Sequence, residues 1–364
     1  MTSAPAPGRW SRRSFLLASA GLVGSSAALG AGCSAAGGPA SPQAPGAGQG
    51  ASTGTTGVSA SPPPAAPSVS VFPGSLEAAT IEDSLAAHAA AVLAVGRSDL
   101  GKAGRNLVSA IRDQHRAHAA ALRTTDPTDP NTGGTPAPSS PGGTSAKKPG
   151  FGKAVDRLLV AEAKAAAAHR AQARATEGLA GLLWGSLAVS AAHVTAILKS
   201  ADLAGDRPDP TVATVATVRA RAPMPLVPVA QAEQEMVRQL HAVIYGYQLA
   251  LGRLTGERRD TAAGELRRHR ILRDRLITRL LNRRAEVPAA AAAYVPSTNP
   301  RNAATAAKLI RQMETALVPF CGLWLAAATV PAERTEALDE VGRTLGVARR
   351  WGASLSTWPG WEPA

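Results

Sequence analysis

The sequence predicts an all-α protein whose helices fall into two sets of four. Three observations carry this. Apolar residues recur at steps of three and four in eight segments of the chain. Strand-type alternation is nearly absent, the single β-branched stretch at 211–218 being short and flanked by prolines. Within each set the connectors run short, long, short, as in a four-helix bundle with one crossover.

In the second half, Met236, Leu240, Val243, Tyr247, Leu251 and Leu254 mark one amphipathic helix, and Leu266, Leu272, Leu276 and Leu280 the next. Leu309, Met313, Leu317, Phe320 and Trp324 mark a third, with Pro319 expected to bend it. Leu338, Val341, Leu345, Ala348 and Leu355 mark the fourth, opened by Pro331. Short turns at 256–260 and 329–332 join the pairs, and the longer stretch 285–301 crosses between them. The segment with Trp351, Trp358 and Trp361 is expected to pack against the end of a bundle.

The first half repeats the scheme. Ile81, Leu85, His88 and Val92 mark one helix, and Leu107, Ile111, His118 and Leu122 the second. Val155, Leu159, Glu162 and His169 mark the third, and Leu179, Leu183, Leu187 and Val194 the fourth. The crossover, 126–150, is dense in Pro, Gly, Ser and Thr. Both second helices carry His-Arg with Leu seven residues after the His, at His115-Arg116 and His269-Arg270, which suggests an internal duplication. The expected organisation is 76–204 for the first bundle, 205–228 for a proline-bounded linker and 229–364 for the second bundle.

The connectivity is that of the ferritin-like arrangement, and the second half also carries a family resemblance. Residues Gln239 to Tyr247 (QLHAVIYGY), the His269-Arg270…Leu276 helix, Tyr294-Val295-Pro296 and Ala348-Arg349-Arg350-Trp351 resemble a ferritin-like domain of unknown function (number 4439). That family occurs in exported proteins of high-GC Gram-positive bacteria. The resemblance spans about 229–361, and it departs where family members place a Glu before the His and this chain has Leu240. It implies the fold; the family has no assigned activity, so it implies no mechanism.

The N-terminus reads as an export signal. Arg9, Arg12 and Arg13 precede an apolar run from Phe15 to about Ala31, too short and too rich in small residues for a spanning helix. Arg12, Arg13, Phe15 and Leu16 match the twin-arginine pattern. Cys33 stands where a bacterial lipobox places its acylated cysteine, although Gly30 departs from that pattern three residues before it. Residues 34–75, almost all Ala, Gly, Pro, Ser and Thr, read as a disordered tether. With only Cys33 and Cys321, no disulfide framework is implied. The expected location is the outer face of the cytoplasmic membrane, as a lipoprotein, or otherwise secretion.

The ferritin-like reading poses a specific chemical question. Di-metal members supply a Glu from each of two helices and Glu-x-x-His from the other two. The second bundle lacks that pattern: Arg273 follows His269 by one turn, and a fixed cation there would repel a metal. A buried Arg needs an acidic partner, and Glu314 on the third helix is the expected one. The first bundle holds five of the seven histidines, at least one on each helix. His115-x-x-His118 and Ser190-x-x-His193 keep the ligand spacing with the Glu replaced. His88, His115, His118, Glu162 and His193 are therefore the candidate ligands of an altered transition-metal site, with Glu82 available on the first helix. The competing reading is that these histidines are core residues bonded to backbone or to Glu162.

The formal charge is +13, and removing a signal with three arginines leaves +10. A basic exported chain favours anionic lipid or wall polymer. Nucleic acid is a poor partner, because no aromatics are interleaved with the basic residues. Ten arginines between 258 and 284 face only Asp260, Glu265 and Asp274 on the same stretch; a solvated face with salt bridges to neighbouring helices is the simpler reading. The glycines at 46–50 follow no strand and precede no helix, so they make no phosphate loop. No nucleophile–base pair or cofactor fingerprint stands out. The leading expectation is a lipid-anchored, non-enzymatic envelope protein that binds or scaffolds, with no cofactor. The alternative is a metal-binding or redox protein using a degenerate site in the first bundle.

Overall fold

The computed structural model describes residues 72–130, 150–201, 203 and 221–363. The export signal with Arg12, Arg13, Phe15 and Leu16, Cys33, the 34–71 part of the tether and most of the 205–228 linker lie outside the described residues. The described residues are all-helical. They form α1 (Ser75–Val95), α2 (Lys102–Leu122), α3 (Phe151–Ala175), α4 (Gly178–Ser200), α5 (Val229–Leu251), α6 (Gly256–Asn282), α7 (Ala303–Ala327) and α8 (Pro331–Arg350). Among them no strand occurs, only an isolated bridge between Arg221 and Pro363.

The turns explain where the helices break. Gly178 opens α4 and Gly256 opens α6 with positive φ of 69° and 54°, which a residue with a Cβ adopts at a cost. Asn302 and Thr305 form a capping box at the start of α7, and Pro331 occupies the first turn of α8. Each set then packs alike. α1 lies against α2 and α3, and α3 against α4; α5 lies against α6 and α7, and α7 against α8. Between the sets, α4 packs on α7 and α8, and α3 on α8.

That contact accounts for α4. By length and hydropathy both α1 and α4 could cross a membrane, but 83% of the α4 window is buried inside the protein. A helix with neighbours on most sides has no polar face to spare. One apolar cluster runs through both sets, joining Leu182, Leu183, Leu187 and Val189 to Leu240, Tyr247, Leu276, Trp324 and Val341. The 353–363 segment folds back into it. Its Gly360, at φ 89°, comes so close to α7 that a Cβ on Gly322 would lie 1.9 Å from the Gly360 carbonyl oxygen.

Candidate metal centre

The interior of the first set is built on alanine stripes. α1 buries Ala78, Glu82, Leu85, Ala89 and Val92, and α3 buries Ala154, Leu158, Glu162, Ala165, His169 and Ala173. α2 buries Leu107, Ile111, His115, His118 and Leu122. Carboxylates and imidazoles stand on these same buried faces, among the small residues. Five such groups therefore meet inside: Glu82, His115, His118, Glu162 and His169, none more than 2% exposed.

Glu82 is the hub. Its Oε2 lies 2.7 Å from His115 Nδ1 and 2.9 Å from His118 Nδ1, and its Oε1 lies 3.1 Å from His169 Nε2. Across the cluster, His115 Nε2 is 2.7 Å from Glu162 Oε1. The remaining Glu162 oxygen, Oε2, is buried with no partner. His169 stacks on Trp184 with ring centroids 5.9 Å apart. His118 makes its other bond outside the first set: its Nε2 lies 2.7 Å from the carbonyl oxygen of Thr357, and Trp358 covers its ring at 4.6 Å.

The contacts of the cluster require a proton or a cation between imidazole nitrogen and carboxylate. A carbonyl only accepts, so His118 Nε2 carries a hydrogen. In a neutral ring, Nδ1 is then a bare lone pair facing Glu82 Oε2. Burial works to raise the Glu82 pKa, but the charges and hydrogen bonds of His118 and His115 hold it well below the usual carboxylate range. Two acceptors thus oppose each other unless a proton or a metal lies between them. His115 meets two carboxylates, and since a neutral imidazole has one N–H, only its protonated form donates to both. Burial would lower its pKa, but Glu162 and Glu82 outweigh that and push it up to about 10. Burial in turn raises the pKa of Glu162. A metal-free cluster is therefore held together by extra protons in a space without water contact.

Glu82, His115 and His118 offer three ligand atoms that all lie within 4.8 Å of one another. Two donors about 2.1 Å from one ion at 90–109° stand about 3.0–3.4 Å apart. The separations of Glu82 Oε2 from His115 Nδ1 and His118 Nδ1, 2.7 Å and 2.9 Å, need open by only a few tenths of an ångström. Imidazole and carboxylate donors without thiolate suit zinc, iron, nickel or copper in the divalent state.

The sequence-based ligand set is thus brought together in part. His115, His118 and Glu162 converge; His88 and His193 do not. His88 lies six residues beyond Glu82 on α1, on another face, half-buried and near Arg157, and both burial and that charge lower its pKa. His193 turns toward α8, its Nε2 3.3 Å from the Gly342 carbonyl oxygen, where burial lowers its pKa to about 4. Ser190, at the vacated Glu position, takes a hydrogen bond from Gln114 instead. Glu82 and His169 complete the cluster in their place.

The expected Arg273–Glu314 pair is corrected. Arg273 swings outward and pairs with its neighbour Asp274 at 2.7 Å. Glu314, fully buried, takes His269 Nε2 at 2.7 Å and the Tyr247 hydroxyl at 2.5 Å. The reason is reach: a long guanidinium beside the helix edge regains water, whereas His269 sits on the buried stripe.

The two sets match residue for residue here. His115 stands 13 residues after the start of α2, and His269 13 after the start of α6. Glu162 and Glu314 each stand 11 after the starts of α3 and α7. In the same register, Glu82, His118 and His169 fall opposite Met236, Leu272 and Cys321. The His–Glu contact is kept in both sets; the other three polar groups occur only in the first.

Residues 232–363 match the family described as Domain of unknown function (DUF4439). The DUF4439 region takes in nearly all of α5, then α6 to α8 and the 353–363 segment, but none of the five clustered side chains. Thr357 and Trp358, which close over His118, belong to it. A crystal structure of a conserved hypothetical protein from Mycobacterium tuberculosis is similar at 28% identity, covering 34% of this chain and 93% of that one, with a TM-score of 0.33. No curated protein matches the chain.

Proposed function

We propose that this is an exported, envelope-tethered protein of two tandem ferritin-like bundles that holds one divalent transition-metal ion in the first. The observation that carries the reading is the buried triad of Glu82, His115 and His118, with Glu162 and His169 against it. Of the two sequence-based expectations, the geometry favours the metal-binding one. Buried ionisable groups are costly to keep, and a cluster that needs added protons to avoid acceptor–acceptor contacts is better served by a cation. When bound, the ion would act as a structural or redox centre; the ligands are too deeply buried to read as a substrate-accessible catalytic site.

The twin-arginine pattern with Arg12 and Arg13 supports export of a domain folded, and loaded with metal, before translocation. Cys33 supports a lipid anchor. On α6 and just past its end, Arg268, Arg273, Arg275, Arg279 and Arg283 are taken up in ion pairs with Glu340, Asp274, Glu336 and Glu333. Arg258, Arg259, Arg267 and Arg270 stay exposed, and we assign to them attraction toward anionic lipid or wall polymer.

Metal analysis of the purified protein, after loading with zinc or ferrous iron and gel filtration, tests the reading. The expected content is about one equivalent. Glu82→Gln and His118→Gln, with helical circular dichroism intact, should each retain less than about a tenth of it; His193→Gln should retain it all. A wild-type protein that keeps no stoichiometric metal overturns the proposal, as do Glu82→Gln and His118→Gln variants that bind like wild type.

A further inference from the structure

The one ligand whose second nitrogen is held from outside the first set is His118. Its partner, Thr357, is 239 positions away in sequence. A metal-ligating histidine commonly gives its other N–H to a carbonyl or carboxylate, which fixes the tautomer and aims the lone pair at the metal. The Thr357 carbonyl does this here: it takes Nε2–H and leaves Nδ1 turned toward Glu82. Trp358, only 8% exposed, lies over the same ring and shuts it from water.

Three further contacts hold the segment in place. The Arg221 guanidinium sits between Trp358 and Trp361, 4.6 Å and 4.4 Å from their ring centroids. It also donates to the carbonyl oxygen of Pro127, just beyond α2. The backbone beside it is stitched to the segment by Ala222 N–H to the Glu362 carbonyl at 2.7 Å. Arg221 is buried at 5% exposure, and desolvation lowers its pKa to about 10 while Asp126 and Asp129 favour its charge. A desolvated guanidinium between two indoles is a strong clamp.

We propose that the 353–363 segment is a positioning strap for the metal site. In this account Thr357 sets the ligating tautomer of His118, Trp358 seals the ion from solvent, and Arg221 clamps the strap down. The second set, which lacks three of the five polar groups, thereby contributes the outer wall of the first set's site. This rests on the metal reading above. Thr357, Trp358 and Arg221 touch no metal yet govern how long the ion stays.

The test uses the full chain loaded with Co(II), whose visible spectrum reports ligand geometry, followed by release into excess chelator. Trp358→Ala and Arg221→Ala are expected to release the ion at least about ten-fold faster than wild type, with an altered spectrum in Trp358→Ala. Trp358→Phe, which keeps a ring over His118, should restore most of the slow release. Leu276→Ala, a buried change on α6, serves as a stability control and should leave the spectrum unchanged and the rate near wild type. Equal release rates in wild type, Trp358→Ala and Arg221→Ala overturn the strap while leaving the metal site standing. Equal acceleration in Leu276→Ala also overturns it, since release then follows general loosening. A wild-type chain that takes up no Co(II) overturns both.

Discussion

His115 and His269 occupy the same place in their sets and meet equivalent carboxylates, Glu162 and Glu314, yet their surroundings differ. Around His115 a second carboxylate and two more imidazoles gather; around His269 lie Tyr247 and apolar side chains. Burial works to raise the Glu314 pKa, and His269 and the Tyr247 hydroxyl outweigh it and lower it. His269 Nδ1 and Glu314 Oε2 remain without hydrogen-bond partners. Such a buried group is hard to break and easy to replace whole. Glu314→Leu alone strands a buried histidine and a phenol, and should cost about 3–5 kcal/mol by urea unfolding. Replacing all three, as Tyr247→Phe, His269→Leu and Glu314→Leu together, should return to within about 1–2 kcal/mol of wild type. A triple variant as unstable as the single one would show that the group is not a self-contained polar unit.

At the scale of elements, Gly322 and Gly360 decide whether the strap lies flat. A methyl on Gly322 collides with backbone rather than with a side chain that could swing away. Gly322→Ala should therefore lower stability by about 1–3 kcal/mol and shift the melting temperature down by several degrees; an unchanged melting temperature would contradict this packing. Helix number and pairing were legible in the sequence because Leu, Pro and Gly punctuate the second half clearly; the boundaries slipped, since 256–260 lies inside α6 and Leu254 and Leu355 lie beyond the ends of α5 and α8. The faces of α1 and α3 were not. Their stripes consist largely of alanine, which looks alike on every side, so Ile81, Val155 and Leu159 suggested faces one residue away from those that are buried. Read from Ala78, Leu85, Ala89 and Val92, the stripe of α1 includes Glu82 and excludes His88. His169 stood on the correct stripe, and spacing alone gave no reason to prefer it over His193. The Arg273–Glu314 pairing failed because helix register places a side chain on a face without saying whether it is long enough to leave it.

At the scale of the molecule, the two sets differ in what they bury. The first set gathers the polar groups; the second keeps one His–Glu contact, fills its core with Met236, Leu272 and Cys321, and sends its last segment back over the first. The contact between Thr357 and His118 had no sequence signal, since nothing local links two positions so far apart. We propose that a metal ion sits between Glu82, His115 and His118. Anomalous diffraction from crystals of the metal-loaded protein, measured across the absorption edge, tests this most directly. A single strong peak is expected, about 2.0–2.3 Å from Glu82 Oε2, His115 Nδ1 and His118 Nδ1. Metal-loaded crystals with no peak at these atoms, or with the peak elsewhere in the chain, would contradict it.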